Sequence, residues 1–255
     1  MKRMKCILSY DGTNFSGFQI QPRKRTVHGE IEKALKKIHK GRAIRIQASG
    51  RTDSGVHAKG QTIHFDTDYR IPLTNWKQAL NTLLPKDMYV HQVKVVPTDF
   101  HVRYDVIKKE YRYYIWNEQE RDVLKQNYYY QFPYPLQIEK MQAACVYLQG
   151  EHDFTTFSSA KSTIKGSKIR TLSHISCEQN GNEIEFILRG DGFLYHMVRI
   201  IIGCLVDIGQ GKREASDIPA LLQRKDRQLL GETVPAQGLY LWEVNYPGLS
   251  SKTGK

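Results

Sequence analysis

The order strand–helix–strand–strand–helix–strand can be read along this chain twice, and that repetition constrains the fold more than any other feature. In the first half Lys5–Tyr10 reads as a strand, and Thr26 stands where it can cap a helix with apolar positions Val27, Ile31, Leu35 and Ile38. The strands Ile44–Ser49 and Gln61–Asp66 follow; in the latter, Ile63 and Phe65 alternate with His64 and Asp66. A helix capped by Thr74, carrying Trp76, Leu80 and Leu83, leads to the strand Tyr89–Val96. The second half repeats the order. Lys109–Trp116 alternates, with Tyr111, Tyr113 and Ile115 on one face; Ile138, Met141, Cys145 and Leu148 mark a helix ended by Gly150. Ile169–Cys177 and Glu183–Arg189 form a hairpin around Asn180-Gly181. Tyr195–Ile208 is a mostly buried helix, a short helix Ser216–Gln223 with Pro219 in its first turn is inserted, and Gly238–Val244 is the last strand.

This predicts an α+β protein of two tandem ferredoxin-like (βαββαβ) halves with mixed or antiparallel sheets, helices on one face and the opposite face open. The repeat is one of architecture and not of residues. The join falls near Pro97–Val106, giving expected domains of residues 1–104 and 105–248, with 249–255 as a flexible tail.

Charge points to the partner. Lys and Arg number 38 against 26 Asp and Glu, a net +12, and 15 tyrosines accompany them. A strongly basic surface with flat aromatic faces suits a polyanion whose bases can stack, and an RNA-binding cleft between the halves is expected. Cys6, Cys145, Cys177 and Cys204 form no CxxC pair and lie among apolar residues, so they read as buried thiols in a reducing compartment. The nine histidines show no ligand spacing, and no metal is expected. The apolar run Met197–Ile208 is short and contains Arg199 and Asp207, and Cys6-Ile7-Leu8 is far too short for a signal peptide. A cytoplasmic protein without a membrane partner is expected.

One connection departs from the repeat. Gly50-Arg51-Thr52-Asp53-Ser54-Gly55-Val56-His57-Ala58-Lys59 separates the two central strands of the first half, whereas their counterparts in the second half are joined by a tight Asn-Gly turn. Asp53, two residues after Arg51, is either an Asx-type turn residue or a functional carboxylate. The elaboration of only one of two equivalent connections argues for function.

Five ordered motifs carry a resemblance over nearly the whole chain. They are Ser9-Tyr10-Asp11-Gly12-Thr13-Asn14-Phe15-Ser16-Gly17-Phe18-Gln19, the Gly50–Ala58 loop, Lys109-Glu110-Tyr111-Arg112-Tyr113, Gly192-Phe193-Leu194-Tyr195-His196-Met197-Val198-Arg199 and Pro235-Ala236-Gln237-Gly238-Leu239. Together they resemble the tRNA pseudouridine synthase A (TruA) family, and the loop is the most specific of them. The resemblance implies cofactor-free isomerisation of uridine to pseudouridine at positions 38, 39 and 40 of the tRNA anticodon arm, by a homodimer.

It also implies roles. Asp53 is the catalytic carboxylate, and such a group can stabilise oxocarbenium-like charge or attack covalently. Arg51 beside it would hold the carboxylate ionised, contact a phosphate, or fill the space left by a flipped base. Tyr111 is the substrate-binding tyrosine, offering an aromatic surface to the uracil; Tyr113 is open to a core role. Arg199, in an otherwise apolar helix, is either a buried structural cation or a second basic group near Asp53, and the resemblance favours the second. His57 reads as scaffolding. Basic residues in predicted loops and at strand ends, Arg23, Arg25, Arg103, Lys109, Lys161, Lys165, Lys168 and Arg170, are candidate RNA contacts. Departures from the family pattern at Lys59, Val102, Tyr104, Val234 and Gln237 remove no chemical group but suggest a divergent paralogue. Two rivals remain at this point. A non-catalytic RNA-binding protein would use the sheets alone. An aspartic protease would need a second Asp-Ser-Gly triplet, and the chain has one.

Overall fold

The computed structural model describes residues 1–159 and 166–248. It divides into two compact units, Met1–Ile107 together with the residues from Tyr240 onward, and Lys108–Leu239. The expected tail, 249–255, and the candidate contacts Lys161 and Lys165 lie outside the described residues.

The first unit contains β1 (Lys2–Tyr10), α1 (Val27–Ile38), β2 (Ile46–Ala48), β3 (His57–Thr67), α2 (Leu73–Leu83) and β4 (Met88–Val96). β1 pairs antiparallel with both β4 and β3, and β2 pairs antiparallel with β3. The order β4-β1-β3-β2 is that of a ferredoxin-like half, as the element order requires. One sheet face, with Met4, Cys6, Leu8, Ile63 and Phe65, is buried together with Val27, Ile31 and Leu35 of α1 and Trp76 and Leu80 of α2. The Phe65 and Trp76 rings meet edge to face, 5.5 Å between centroids. Thr26 caps α1, its side chain accepting from the Gly29 N–H. Thr74 does not cap α2. The cap position is two residues earlier, at the extended Pro72, whose carbonyl accepts the Trp76 N–H. Thr74 thus falls within the first turn.

The opposite face is partly covered. The segment 97–105 crosses it, with Phe100 and Val102 buried, and the Val102 N–H donates to Nδ1 of buried His64. Tyr246 donates its hydroxyl to the Val102 carbonyl, and the Lys5 ammonium lies 4.3 Å from the Tyr246 ring centroid. Burial, with Lys94 nearby, pushes the Lys5 ammonium down to about 8, and burial next to Arg3 and His101 pushes His64 down to about 4. The helix-free face is therefore covered at this end of the strands.

The second unit contains β5 (Lys108–Trp116), β6 (Tyr130–Gln131), α3 (Ile138–Leu148), β7 (Gly150–Asp153), β8 (Ile169–Asn180), β9 (Glu183–Gly190), α4 (Met197–Gly209) and α5 (Ile218–Arg224). β9 lies antiparallel between β5 and β8, the same order as β1, β3 and β2, while β7 extends the β8 edge and β6 runs parallel to β5. Tyr113, Ile115, Ile184, Phe186 and Leu188 are fully buried, as are Met141 and Leu148 of α3. The hairpin turn is Gly181-Asn182, one residue later than expected, because Asn180 still pairs with Glu183. The last strand, β10 (Leu239–Asn245), was expected with the second half. Its Tyr240 and Leu241 pair in parallel with His57 and Ala58 of β3, so it groups with the first unit.

All four cysteines are free and buried. Burial pushes the thiols of Cys6, Cys145 and Cys204 up to about 12, which keeps them protonated and unreactive. Among the described residues no helix is long and apolar enough to cross a membrane.

Candidate active site

Residues 49–56 leave the short strand β2 and enter β3, and almost every backbone direction in between is specified from elsewhere in the first unit. At the base, buried Ser49 donates to the Gln61 side-chain oxygen at 2.7 Å, and the Gln61 amide donates to the Gly50 carbonyl at 3.1 Å. Thr52 is buried, and its hydroxyl shares a 2.7 Å hydrogen bond with Tyr10, whose phenol burial pushes up to about 12 and keeps neutral. Beyond it, the Val56 N–H donates to the Asp53 carbonyl at 3.2 Å and the Ser54 hydroxyl to the Phe15 carbonyl at 3.1 Å. Asp53 thereby sits on a closed turn, half-buried, between an anchored residue before it and another after it.

The segment 9–19 supplies most of these anchors. The Phe18 N–H donates to the Thr52 carbonyl at 3.0 Å. Gly17, at φ +86°, brings its backbone so close that a Cβ would stand 3.0 Å from the Thr52 oxygen and 3.3 Å from the Asp53 carbonyl carbon. At Gly12 a Cβ would collide with the Val56 carbonyl. The two glycines are therefore required by contact with the loop. The segment is itself fastened by Arg25, whose guanidinium donates to both Asp87 oxygens at 2.7 and 2.8 Å and lies 4.1 Å from the Phe15 ring centroid. Asp87 raises the Arg25 pKa further above its already high ordinary value. Arg25, expected as a phosphate contact, takes part in this clamp and keeps about a third of its side chain exposed, 35%.

His57 is 2% exposed, its Nδ1 accepts the Gly12 N–H at 2.9 Å, and its ring stacks on Tyr240 at 4.7 Å. A ring held by both its Nδ1 and its face is a brace, in keeping with the scaffolding role expected for it. Arg51, two residues before Asp53, is exposed. Arg103 and Arg23 are exposed as well, and Arg23 turns through φ 58° ahead of α1.

In the second unit Tyr111 lies on β5, 8% exposed, its ring edge to face with Phe193 at 4.9 Å. Tyr113 is a core residue, its hydroxyl donating to the Pro235 carbonyl at 2.8 Å. Arg199, in the first turn of α4, donates from Nε to the Val234 carbonyl at 2.7 Å. Three of the motifs thus meet at two adjacent carbonyls, those of Val234 and Pro235, a contact that the residue types at those positions do not announce. α4 starts from His196, whose left-handed φ of 61° is uncommon outside glycine. Glu110, on the opposite face of β5 from Tyr111, is 4% exposed and receives Arg112 at 2.8 Å and Arg189 at 2.7 Å. Burial opposes its ionisation, but the two guanidiniums outweigh it and hold the carboxyl below its ordinary range. Lys109 stands at the start of β5 opposite Gly190, and Arg170 donates to the carbonyls of Ser167 and Ile169.

A family model described as tRNA pseudouridine synthase matches residues 7–105 and 144–247, and the chain belongs to that family. The matched residues contain Arg51, Asp53 and Arg199, while Tyr111 falls between them. Among curated relatives, "tRNA pseudouridine synthase A" of Oceanobacillus iheyensis is 58% identical over 246 residues, 96% of this chain and 97% of its own. "tRNA pseudouridine synthase A 1" of Bacillus cereus is 53% identical over 96% of this chain and 99% of its own. "tRNA pseudouridine synthase A" of Geobacillus kaustophilus is 52% identical over 96% and 95%. The reaction class is the isomerisation of uridine to pseudouridine in tRNA.

Proposed function

We propose that Asp53 is the catalytic nucleophile of this isomerase, acting on a uridine flipped out of the tRNA anticodon arm at positions 38, 39 and 40. The reaction breaks the N-glycosidic bond, turns the uracil and rejoins it to the ribose through carbon. The base gives up its C5 proton and gains one at nitrogen, so no atom is added or lost and no co-substrate is called for. A carboxylate suits the first step because it can stabilise the positive charge developing on the sugar or attack covalently. Tyr111 lays its ring against the flipped uracil, and stacking of this kind contributes about 1–3 kcal/mol per base. Arg51, exposed two residues before Asp53, contacts the RNA or occupies the vacated stack. Arg199 serves as the second basic group, Arg23, Arg103 and Lys109 as phosphate contacts, and the enzyme works in the cytoplasm as a homodimer.

The observation that carries the reading is the fixation of the Asp53 turn on both sides by Thr52, Val56 and Ser54. A merely RNA-binding sheet has no use for a carboxylate held rigidly in a basic protein, since it repels phosphate. The test is incubation with unmodified tRNAs carrying uridine at 38, 39 or 40, without added metal or cofactor, followed by mapping of pseudouridine. Product at these three positions is expected; product confined to other arms of the tRNA would overturn the site assignment. Tyr111→Phe separates ring from hydroxyl, because an unchanged rate means that only the ring acts.

A further inference from the structure

The helix-free face of the first unit is covered at one end by the segment 97–105, and at the other end, next to the Asp53 loop, it presents a cluster that the isomerisation itself does not use. Lys59 and Trp242 lie on this face, the ammonium 5.5 Å from the Trp242 ring centroid. On the neighbouring strands Ser9 pairs with Tyr89, and His91 occupies the register shift that follows, its Nε2 2.8 Å from the Ser9 hydroxyl. The Tyr89 and His91 rings are 5.1 Å apart, and Lys77 of α2 brings its ammonium 5.7 Å from the Tyr89 ring centroid. Lys59 and His91 are exposed, and Tyr89 is 46% exposed. Burial and then the charges of Lys77 and Lys59 hold His91 below its ordinary pKa.

Neither lysine has a carboxylate partner among the described residues; each is set against an aromatic ring instead. Lys59 on the sheet and Lys77 on α2 set a cation beside an aromatic ring at two neighbouring places, a combination that suits an anion with flat faces and not a purely apolar occupant. The chemistry that fits is a nucleic-acid strand, with phosphate oxygens on Lys59, Lys77 and the Ser9 hydroxyl and a base on Tyr89. Geometry ties this patch to the loop. His57 and Lys59 are two residues apart at the start of β3, and His57 accepts the N–H of Gly12, in the segment packed against the Asp53 loop.

We propose that Ser9, Lys59, Lys77, Tyr89 and His91 form an accessory RNA-binding surface that holds the substrate strand where it leaves the Asp53 loop. The inference rests on RNA being the substrate and not on Asp53 being the nucleophile.

Filter binding of unmodified tRNA over a salt series, in an Asp53→Asn background, tests the surface apart from the chemistry. Lys59→Gln with Lys77→Gln should weaken binding about tenfold and reduce the slope of log K against log salt by about two. Lys36→Gln with Lys37→Gln on α1 removes the same charge from exposed positions elsewhere on the unit and should leave the slope nearly unchanged. Tyr89→Ala should weaken binding about tenfold, and Tyr89→Phe should restore it. Thermal melting checks that each variant is folded. An unchanged slope in the Lys59 and Lys77 variant, or an equal loss in the Lys36 and Lys37 variant, overturns the surface. Failure of the catalytic assignment would appear as pseudouridine formed by the Asp53→Asn protein and leaves this binding result readable.

Discussion

Two connections occupy the same place in the two units and are built on opposite principles. The β8–β9 connection is a two-residue turn, Gly181-Asn182, closed by its own strands and touched from elsewhere only at Asn182, by Asn117 and Glu118. The β2–β3 connection is a loop whose residues are set by partners far away in sequence: Thr52 by Tyr10 and Phe18, Ser54 by Phe15, and Val56 by its closeness to Gly12. A turn that only reverses the chain needs local chemistry alone. A loop that must hold one carboxylate in place recruits a second segment, here 9–19, and that segment is in turn clamped by Arg25 and Asp87.

Substitution at the glycines should separate the two most strongly. Gly12→Ala forces a Cβ into the Val56 carbonyl and should destabilise the first unit by several kcal/mol or displace the loop, with turnover falling at least 100-fold; melting and single-turnover rates check it. Acid should separate them next. His64, in the strand that leaves the loop, titrates near 4 when folded and near 6.5 when unfolded. The unfolded chain therefore binds the extra proton first, and stability present above pH 6.5 is lost as pH falls through this window, by about 2 kcal/mol. Urea titrations between pH 7 and 4 should show this slope, and His64→Phe should flatten it. Tyr10→Phe leaves the buried Thr52 hydroxyl without its partner, which costs about 1.5 kcal/mol and should lower kcat more than it raises KM. The smallest effect is expected at the plain turn. Gly181→Ala meets nothing within 4 Å and suffers only its φ of +59°, about 1 kcal/mol, with turnover unchanged.

The same contrast explains what could be read from the residues. Helix and strand order was legible because Val27, Ile31 and Leu35, or Tyr113 and Ile115, repeat at the period of their element. The start of β3 was not, since His57, Lys59 and Gly60 carry no apolar alternation; it is strand because β10 pairs with His57 and Ala58 and β1 with Ala58 and Gln61. Asp53 and Arg199 stood out as charges in unusual surroundings. The supports did not: the Thr52 and Val234 carbonyls, Gly12 and Gly17 act through backbone atoms across dozens of residues, and side-chain pattern holds no trace of that. Arg25 shows the converse, a conspicuous basic residue whose partner, Asp87, lies 62 positions away.

The most direct measurement is single-turnover pseudouridine formation by Asp53→Asn on an unmodified tRNA with uridine in the anticodon arm. The substitution keeps the side chain's size and leaves the Tyr10–Thr52 hydroxyl pair and the Val56–Asp53 backbone bond in place. No detectable pseudouridine, with tRNA binding retained, is the expected result. Pseudouridine formed within tenfold of the unsubstituted rate would contradict Asp53 as the nucleophile and leave the loop a structural turn.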